Sequence, residues 1–244
     1  MNIQSIMGFS FKILFCAIAT VATLTKWKAV SAFAASSSSP IPPPPPISVP
    51  VWSFATASQS KTSMNIMTFC IPVSVSSPKQ WALSFYYGTL TKDSFLSCLE
   101  ETSTGEENET AVGVLQLLKK DHQYLVPILG KNSGRDIDKS SRCGEEGFPW
   151  SLADKDFQVL PGCALYVEVQ CKSSDRLVDA GDHVVAICEV TRIGVWEQEN
   201  EEKGIPEGRV KWLEHDDDTI PLALGAIDES NALYSGWLRK EGIL

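Results

Sequence analysis

Positive charge is scarce in this chain: 21 Lys and Arg stand against 30 Asp and Glu, for a net charge of -9 and an isoelectric point near 4.9. Affinity for nucleic acid rests on cations that neutralise phosphates, so this balance excludes a nucleic-acid partner and fits a soluble acidic protein. Paired cysteines are missing too. None of the seven cysteines stands in a C-x-x-C pair and they build no dense framework, which excludes zinc ribbons and thioredoxin-like dithiols. There is no G-x-G-x-x-G and no G-x-x-x-x-G-K-S/T, hence no Rossmann nucleotide site and no P-loop. No internal repeat stands out. His215 is followed by Asp216, Asp217 and Asp218, but an acidic run offers no defined coordination geometry, and no metal is assigned.

What is present begins with a leader. Lys12 precedes the apolar run Ile13 to Leu24, which has the length of a signal-peptide core and is too short to span a bilayer comfortably. Residues 1–34 therefore read as removable, and the mature form needs no membrane. A Ser-rich stretch follows, and no acidic residue occurs between Met1 and Val51. The junction around Phe33 resembles the bipartite presequences of algae with secondary plastids, in which a phenylalanine opens the transit peptide. That resemblance implies delivery to a plastid; an ordinary secretory signal, cut after Ala32 or Ala34, is the alternative. Pro42 to Pro46 form a polyproline segment, so that residues 35–48 read as a transit or linker segment ahead of one folded domain over 49–244.

Within that domain, 43% apolar content over the chain is ample for a packed core. Val49 to Ala57 reads as a strand by its Trp, Phe and Val content, followed by a turn. Met64 to Val75 and Trp81 to Tyr87 read as the next two strands. Thr91 is placed to cap a helix that carries Phe95, Leu96 and Leu99 at helical spacing. Glu100 to Glu109 is an acidic loop containing the sequon at Asn108, which matters only in a secretory route. Ala111 to Leu118 resumes as a strand, Lys120 to Leu129 as a helix interrupted by Pro127, and the stretch to Trp150 as loop. Ala164 to Cys171 alternates apolar and polar residues as a half-buried antiparallel strand should, and His183 to Val195 is a second long strand. Residues 197–219 carry nine acids against three bases and read as a solvated insertion. The C-terminal segment reads as a last strand and turn. Cys16 lies in the leader; Cys70, Cys98, Cys143, Cys163, Cys171 and Cys188 read mostly as small core residues, with a disulfide left open by their even number.

The most informative stretch is Lys61 to Pro78 with the strand that follows. Small polar groups at Ser63, Asn65 and Thr68 precede a β-branched run, then a proline-marked turn, then an apolar strand ending in hydroxyls. The order S-x-N-x-M-T, V-S-x-x-P, apolar strand, G-T-x-T resembles the flavin reductase-like family of FMN-binding split barrels, over roughly Val49 to Val195 and a short C-terminal piece. The resemblance implies a mainly β fold, a Greek-key split β-barrel with a few short helices. It also implies a homodimer with the flavin near the subunit interface.

The same resemblance assigns candidate site residues. Ser63, Asn65, Met67, Thr68, Phe69 and Cys70 would line the isoalloxazine ring, whose N3, O2 and O4 need donors and acceptors at fixed positions. The family more often has small residues where this chain carries Phe69 and Cys70. Thr89, Thr91 and Lys92 stand where the family's serine, threonine and arginine hold the FMN phosphate, a group that calls for hydroxyls, amides and a cation. The usual arginine nearby is absent. Gly181, Asp182 and His183 match a G-D-H tripeptide that opens a strand near the flavin, with His183 as the catalytic positioning group. A loop with Arg135 and Lys139 is a weaker match; Arg135 would either meet a phosphate of NAD(P)H or pair with Asp138 on the surface. Read from the residues alone, the hydroxyls are equally a strand entry and an N-cap, and the Gly-Asp pair a turn. The expected activity is NAD(P)H-dependent reduction of FMN by hydride transfer to N5, which requires orientation and no protein base. The alternatives are a non-catalytic flavin- or haem-binding split barrel, and a secreted β-domain without a cofactor.

Overall fold

The computed structural model describes residues 48–56, 62–67, 69–73, 79–100, 110–154, 157–198, 208–213 and 231–244. The chain divides into Met1–Pro44 and Pro45–Leu244, and every described residue belongs to the second unit. The leader and most of the linker, the sequon and Thr68 lie outside the described residues.

The strands are β1 (Trp52–Thr56), β2 (Ser63–Met67), β3 (Cys70–Pro72), β4 (Gln80–Tyr86), β5 (Ala111–Leu117), β6 (Ser151–Asp154), β7 (Phe157–Val159), β8 (Leu165–Cys171), β9 (Leu177–Asp179), β10 (His183–Gln198) and β11 (Gly208–Trp212). All but β6 and β7 join one antiparallel sheet in the order β2-β1-β5-β8-β10-β4-β3, with β9 and β11 also on β10. The helices are α1 (Leu90–Glu100), α2 (Leu125–Lys131), α3 (Lys139–Glu145) and α4 (Ser235–Lys240).

β10 organises this sheet. Its sixteen residues pair with β4 along His183–Glu189, with β9 along Val184–Ala186, with β8 from Glu189 to Gly194 and with β11 from Gly194 to Gln198. Val184, Ala186, Cys188 and Val190 are buried in strict alternation. A register shift between Val190 and Arg192 then lets Ile193, rather than Arg192, face the core. Such a bulge adds one residue, bends the strand and sharpens its twist, which lets one strand serve two regions of a curled sheet. The architecture is a mainly β split barrel with a few short helices.

Two apolar cores result, because β1 is covered on both faces. Trp52 and Phe54 enter one core with Trp81, Leu83, Phe85, Phe95 and Leu96, while Val51 and Ala55 enter the other with Met64, Leu118, Leu125, Leu129 and Tyr166. Phe54 meets Phe95 and Phe85 at centroid separations of 5.0 and 5.3 Å, both edge-to-face, the arrangement the ring quadrupoles favour. Helix α1 closes the first core with Phe95, Leu96 and Leu99.

Several expectations are corrected. Met64–Val75 is not one strand: β2 pairs with β1 and β3 with β4, at opposite ends of the sheet order, and residues 68 and 74–75 lie outside the described residues. The cap of α1 is Thr89, whose Oγ1 accepts the Lys92 amide at 3.3 Å; Thr91 is already inside the helix. Pro127 sits in the first turn of α2, where a missing N–H costs nothing, so it starts the helix instead of interrupting one. The stretch before Trp150 contains α3, capped by Asp138 through the amides of Ser140 and Ser141. In the supposed insertion, β10 runs on to Gln198 and Gly208–Trp212 forms β11, held to it by the register of Gly194 with Trp212; residues 199–207 and 214–219 lie outside the described residues. The C-terminal segment makes single bridges at Ala232 and Tyr234 and then α4, not a last strand. The six described cysteines are free thiols; Cys171 Sγ donates to the Ser173 carbonyl at 3.7 Å and Cys188 Sγ to the Ala186 carbonyl at 3.9 Å.

Candidate functional site

Two cavities meet where β2, β4 and the start of α1 converge. The first, about 190 Å³, is lined by Asn65, Tyr86 to Thr91, Gly130 to Gly134 and Lys139. The second, about 160 Å³, is lined by Asn65 to Met67, Phe69, Ser84 to Tyr86, Thr89, Thr91 and His183. Asn65, Tyr86, Thr89 and Thr91 belong to both walls, so the two form one groove with unlike ends.

The first end gathers backbone amides and one ammonium. Gly88 takes a positive φ of 79°, which turns the chain from β4 into α1 and is a conformation only glycine adopts freely. Thr89 then satisfies one first-turn amide, and the Asp93 amide bonds the Thr89 carbonyl at 3.2 Å. The amides of Leu90 and Thr91 have no acceptor within the helix, and the dipole adds partial positive charge there. A cation lies in the same wall. Lys139 is buried, and its Nζ donates to the carbonyls of Leu129 at 2.6 Å and Met64 at 3.1 Å. No carboxylate pairs with it among the described residues, and burial pulls its ammonium down to about 8. An ammonium has three donors, so one remains.

The second end is flat and apolar, with Met67, Phe69, Phe85 and Tyr86 around it. Asn65 accepts the Ile66 amide through Oδ1 at 2.9 Å, which leaves its side-chain nitrogen to donate. His183 starts β10 after a hairpin turn in which the Ala180 amide bonds the His183 carbonyl at 2.9 Å and Gly181 carries a φ of 82°. Its Nδ1 bonds Asp182 Oδ1 at 2.6 Å, and the imidazole beside that carboxyl holds it below the usual carboxylate range. The ring meets Tyr86 edge-on at 5.2 Å.

The expected site residues therefore divide. Asn65, Met67, Phe69, Thr89, Thr91 and His183 come together in the groove, with Gly181 and Asp182 in the turn that presents His183. Ser63 lies one layer behind, bonded Oγ to Oγ1 with Thr91 at 2.8 Å. Cys70 points into the first core, where burial raises its thiol. Lys92 does not line the groove; its ammonium lies 3.6 Å from Asp93 and 5.8 Å from the centre of the Tyr87 ring. Arg135 pairs with Asp93 and donates to the Gly88 carbonyl at 2.6 Å, whereas Asp138 is occupied as the α3 cap. Sequence reasoning passed over Tyr86, Tyr87 and Asn132 and gave Lys139 no role. The aromatic pair directly before G-T was the one available signal.

A groove of this form in a split barrel defines the class, and the comparisons define the family. Residues 21–220 match the model of the flavin reductase like domain, and the chain belongs to that family of oxidoreductases. No curated protein matches in sequence. Solved structures of similar fold include the FMN-binding protein of Thermus thermophilus with bound 1-cyclohex-2-enone, at 18% identity, TM-score 0.49, and coverage of 70% of this chain and 85% of that one. The NADH:FAD oxidoreductase SgcE6 of Streptomyces globisporus C-1027, in complex with NAD and FAD fragments, is 13% identical with a TM-score of 0.47, covering 70% and 88%. The styrene monooxygenase flavin reductase of Pseudomonas putida S12 is 12% identical with a TM-score of 0.45, covering 61% and 82%.

Proposed function

We propose that this chain binds FMN in the shared groove and reduces it with NADH or NADPH. The observation that carries the reading is the pairing of unlike ends in one groove. A phosphate fits the end with the α1 amides, Thr89 and Lys139; a planar apolar ring fits the end with Met67, Phe69 and Tyr86. The fit is chemical at both ends: amide and ammonium donors for a dianion, with the Thr89 hydroxyl turned to the Tyr86 carbonyl at 3.0 Å, and apolar walls with the Asn65 amide for a ring edged by polar atoms. Bound flavin supplies the hydride acceptor. The chain holds the phosphate, orients the ring and excludes water from its apolar face. His183, anchored by Asp182, serves as a positioning group at the rim where the nicotinamide would approach.

A second copy of the chain completes the reading. The outward face of β3, β4, β9 and β10 carries Ile71 opposite Ala82, Ile187 opposite Ala82, and Val178 opposite Val185. Ile71, Val178 and the groove residue Phe69 are exposed by 62, 55 and 67%. An apolar face on a sheet, continuous with a site rim and including an edge strand, is what an isologous dimer covers. The leader fits plastid delivery, tested by fusing Met1 to Pro50 to a fluorescent protein: export to the medium overturns that assignment.

The test of function is anaerobic. Purified protein loaded with FMN is mixed with NADH and with NADPH, and the flavin band is followed. Bleaching by either supports the reductase; a yellow protein that neither nucleotide bleaches supports a flavin binder without reductase activity. His183→Asn is expected to keep FMN and to slow bleaching ten- to a hundredfold, about 1.4 to 2.7 kcal/mol in barrier. Unchanged rates with a lowered Tm would make His183 a structural residue.

A further inference from the structure

The walls of the first cavity are bridged by one side chain. One wall is Gly88 to Thr91, the other Gly130 to Gly134, and the next residue, Arg135, ties them together. Its guanidinium donates to the Gly88 carbonyl at 2.6 Å and pairs with Asp93, on the first turn of α1. Beside this tie the walls come close: a Cβ on Gly134 would stand 3.2 Å from Leu90 Cδ2. The loop that carries Arg135 is itself fixed, because the amides of Asp136 and Ile137 bond the Ser133 carbonyl at 3.1 and 3.2 Å and the Arg135 amide bonds Ser133 Oγ at 3.1 Å. Asp138, three residues on, caps α3.

Resting on the FMN reading above, we infer that Arg135 and Asp93 form a clamp that selects a flavin mononucleotide against a dinucleotide. A terminal phosphate monoester ends where the cavity ends. The pyrophosphate of FAD must continue outward with an adenosine attached, and its path leads between the walls that Arg135 joins. This end of the groove holds about 190 Å³, against the roughly 300 Å³ at which sites for a whole drug-sized ligand begin, so a second nucleotide unit would have to lie beyond the tie. Gly88 and Asp93 take one donor from each terminal nitrogen of the guanidinium, and Arg135 does not line the cavity, so it acts by closing the exit, not as a phosphate ligand. The planar fork suits this task, since it bonds a carbonyl and a carboxylate at once, which an ammonium at the same place does less well.

The experiment measures dissociation constants of FMN, FAD and riboflavin by quenching of flavin fluorescence, on wild type, Arg135→Ala, Arg135→Lys and Asp93→Asn, with a melting curve for each. Wild type is expected to bind FMN at least fiftyfold tighter than FAD. Arg135→Ala should tighten FAD tenfold or more while FMN changes less than threefold, and Asp93→Asn should move FAD in the same direction. Arg135→Lys should fall between. If FMN weakens tenfold in Arg135→Ala and riboflavin does not, Arg135 is a phosphate ligand and the clamp is wrong. Equal affinity of wild type for FMN and FAD also overturns the clamp but leaves the flavin site standing. Failure of wild type to bind any of the three flavins overturns the site itself, and the clamp with it.

Discussion

Lys139 and His122 are both buried bases, and each makes the folded chain more stable as pH rises, in different pH windows. His122 accepts the Lys119 amide at Nδ1, 3.1 Å, so its Nε2–H donates to the Pro161 carbonyl at 3.0 Å. Both ring nitrogens are used in the neutral form, and burial pushes the imidazole below its ordinary value. The unfolded chain takes up a proton near pH 6.5 that the folded chain refuses, so stability is full above that pH and is lost as pH falls through it. A melting series from pH 7.5 to 5 should show the decline, and His122→Gln should flatten it while costing about 1–3 kcal/mol at neutral pH. Lys139 has two carbonyls and, among the described residues, no carboxylate, so its charge costs stability where it is protonated. Its folded value, about 8, lies below the unfolded one, and the flavin-free protein gains stability as pH rises from about 8 toward the ordinary lysine value. Phosphate reverses this slope. A bound dianion favours the ammonium, so FMN affinity should fall as pH rises through the same range while riboflavin affinity stays level. Cys143, the neighbouring titratable group, is pushed up to about 11 by burial and stays neutral there. Titration of both ligands against Lys139→Met separates the outcomes: an equal pH slope in wild type and variant removes Lys139 from the phosphate site.

At the scale of elements, β10 shows why some of the fold was legible and some was not. Its alternation of buried and outward residues stands in the sequence because one face meets the core, and β4 does the same; β5 and β8 are buried almost throughout, Tyr166 and Glu168 included, so the half-buried strand expected over Ala164 to Cys171 is covered on both faces. The bulge after Val190 is invisible there, since Thr191 and Arg192 look like two more polar positions. β11 was hidden by its setting: Gly208-Arg-Val-Lys-Trp212 buries only Val210, in a stretch where acids dominate. α3 reads Lys-Ser-Ser-Arg-Cys-Gly-Glu, with no apolar stripe, and is fixed by its Asp138 cap and by the burial of Lys139 and Cys143. In the site, the hydroxyls before α1 and the G-D-H turn were legible because local chemistry requires them; Lys139 was not, because its role depends on carbonyls from two other elements. Gly194 tests the β10–β11 pairing directly. A Cβ there would lie 2.6 Å from Val210 Cγ1 and 2.9 Å from the Trp212 ring, so Gly194→Ala should destabilise the protein by about 1–3 kcal/mol. Amide exchange should quicken at Val210 and Lys211 and stay unchanged in β1 and β5; uniform quickening would mean that β11 is not a separate unit.

For the whole molecule the question is what covers the outward face of β3, β4, β9 and β10. The inner face of the same strands buries Cys70, Trp81, Leu83, Phe85, Val184 and Ala186, so the apolar residues outside are not needed for the core. β3 lies at the end of the sheet order, and an exposed edge with Phe69, Ile71 and Val73 is an aggregation hazard unless a partner occupies it. A second copy is the economical occupant, because rows such as Ile71–Ala82–Ile187 can meet themselves across a two-fold axis. The same face borders Phe69, Tyr86 and His183 at the rim of the second cavity, so dimerisation would also shield the ring end of the groove from water. Ile71→Glu places a charge at the β3 edge of that face without touching either core. Sedimentation should give wild type a mass about twice that of its chain and the variant a mass of one chain, with far-UV circular dichroism unchanged. The variant should also bind FMN more weakly, because its ring end lies open, and the loss should be as large for riboflavin as for FMN, since the phosphate end is untouched. A variant that remains dimeric would place the contact elsewhere on the sheet. One that becomes monomeric yet keeps full affinity for both flavins would show that each chain closes its own site.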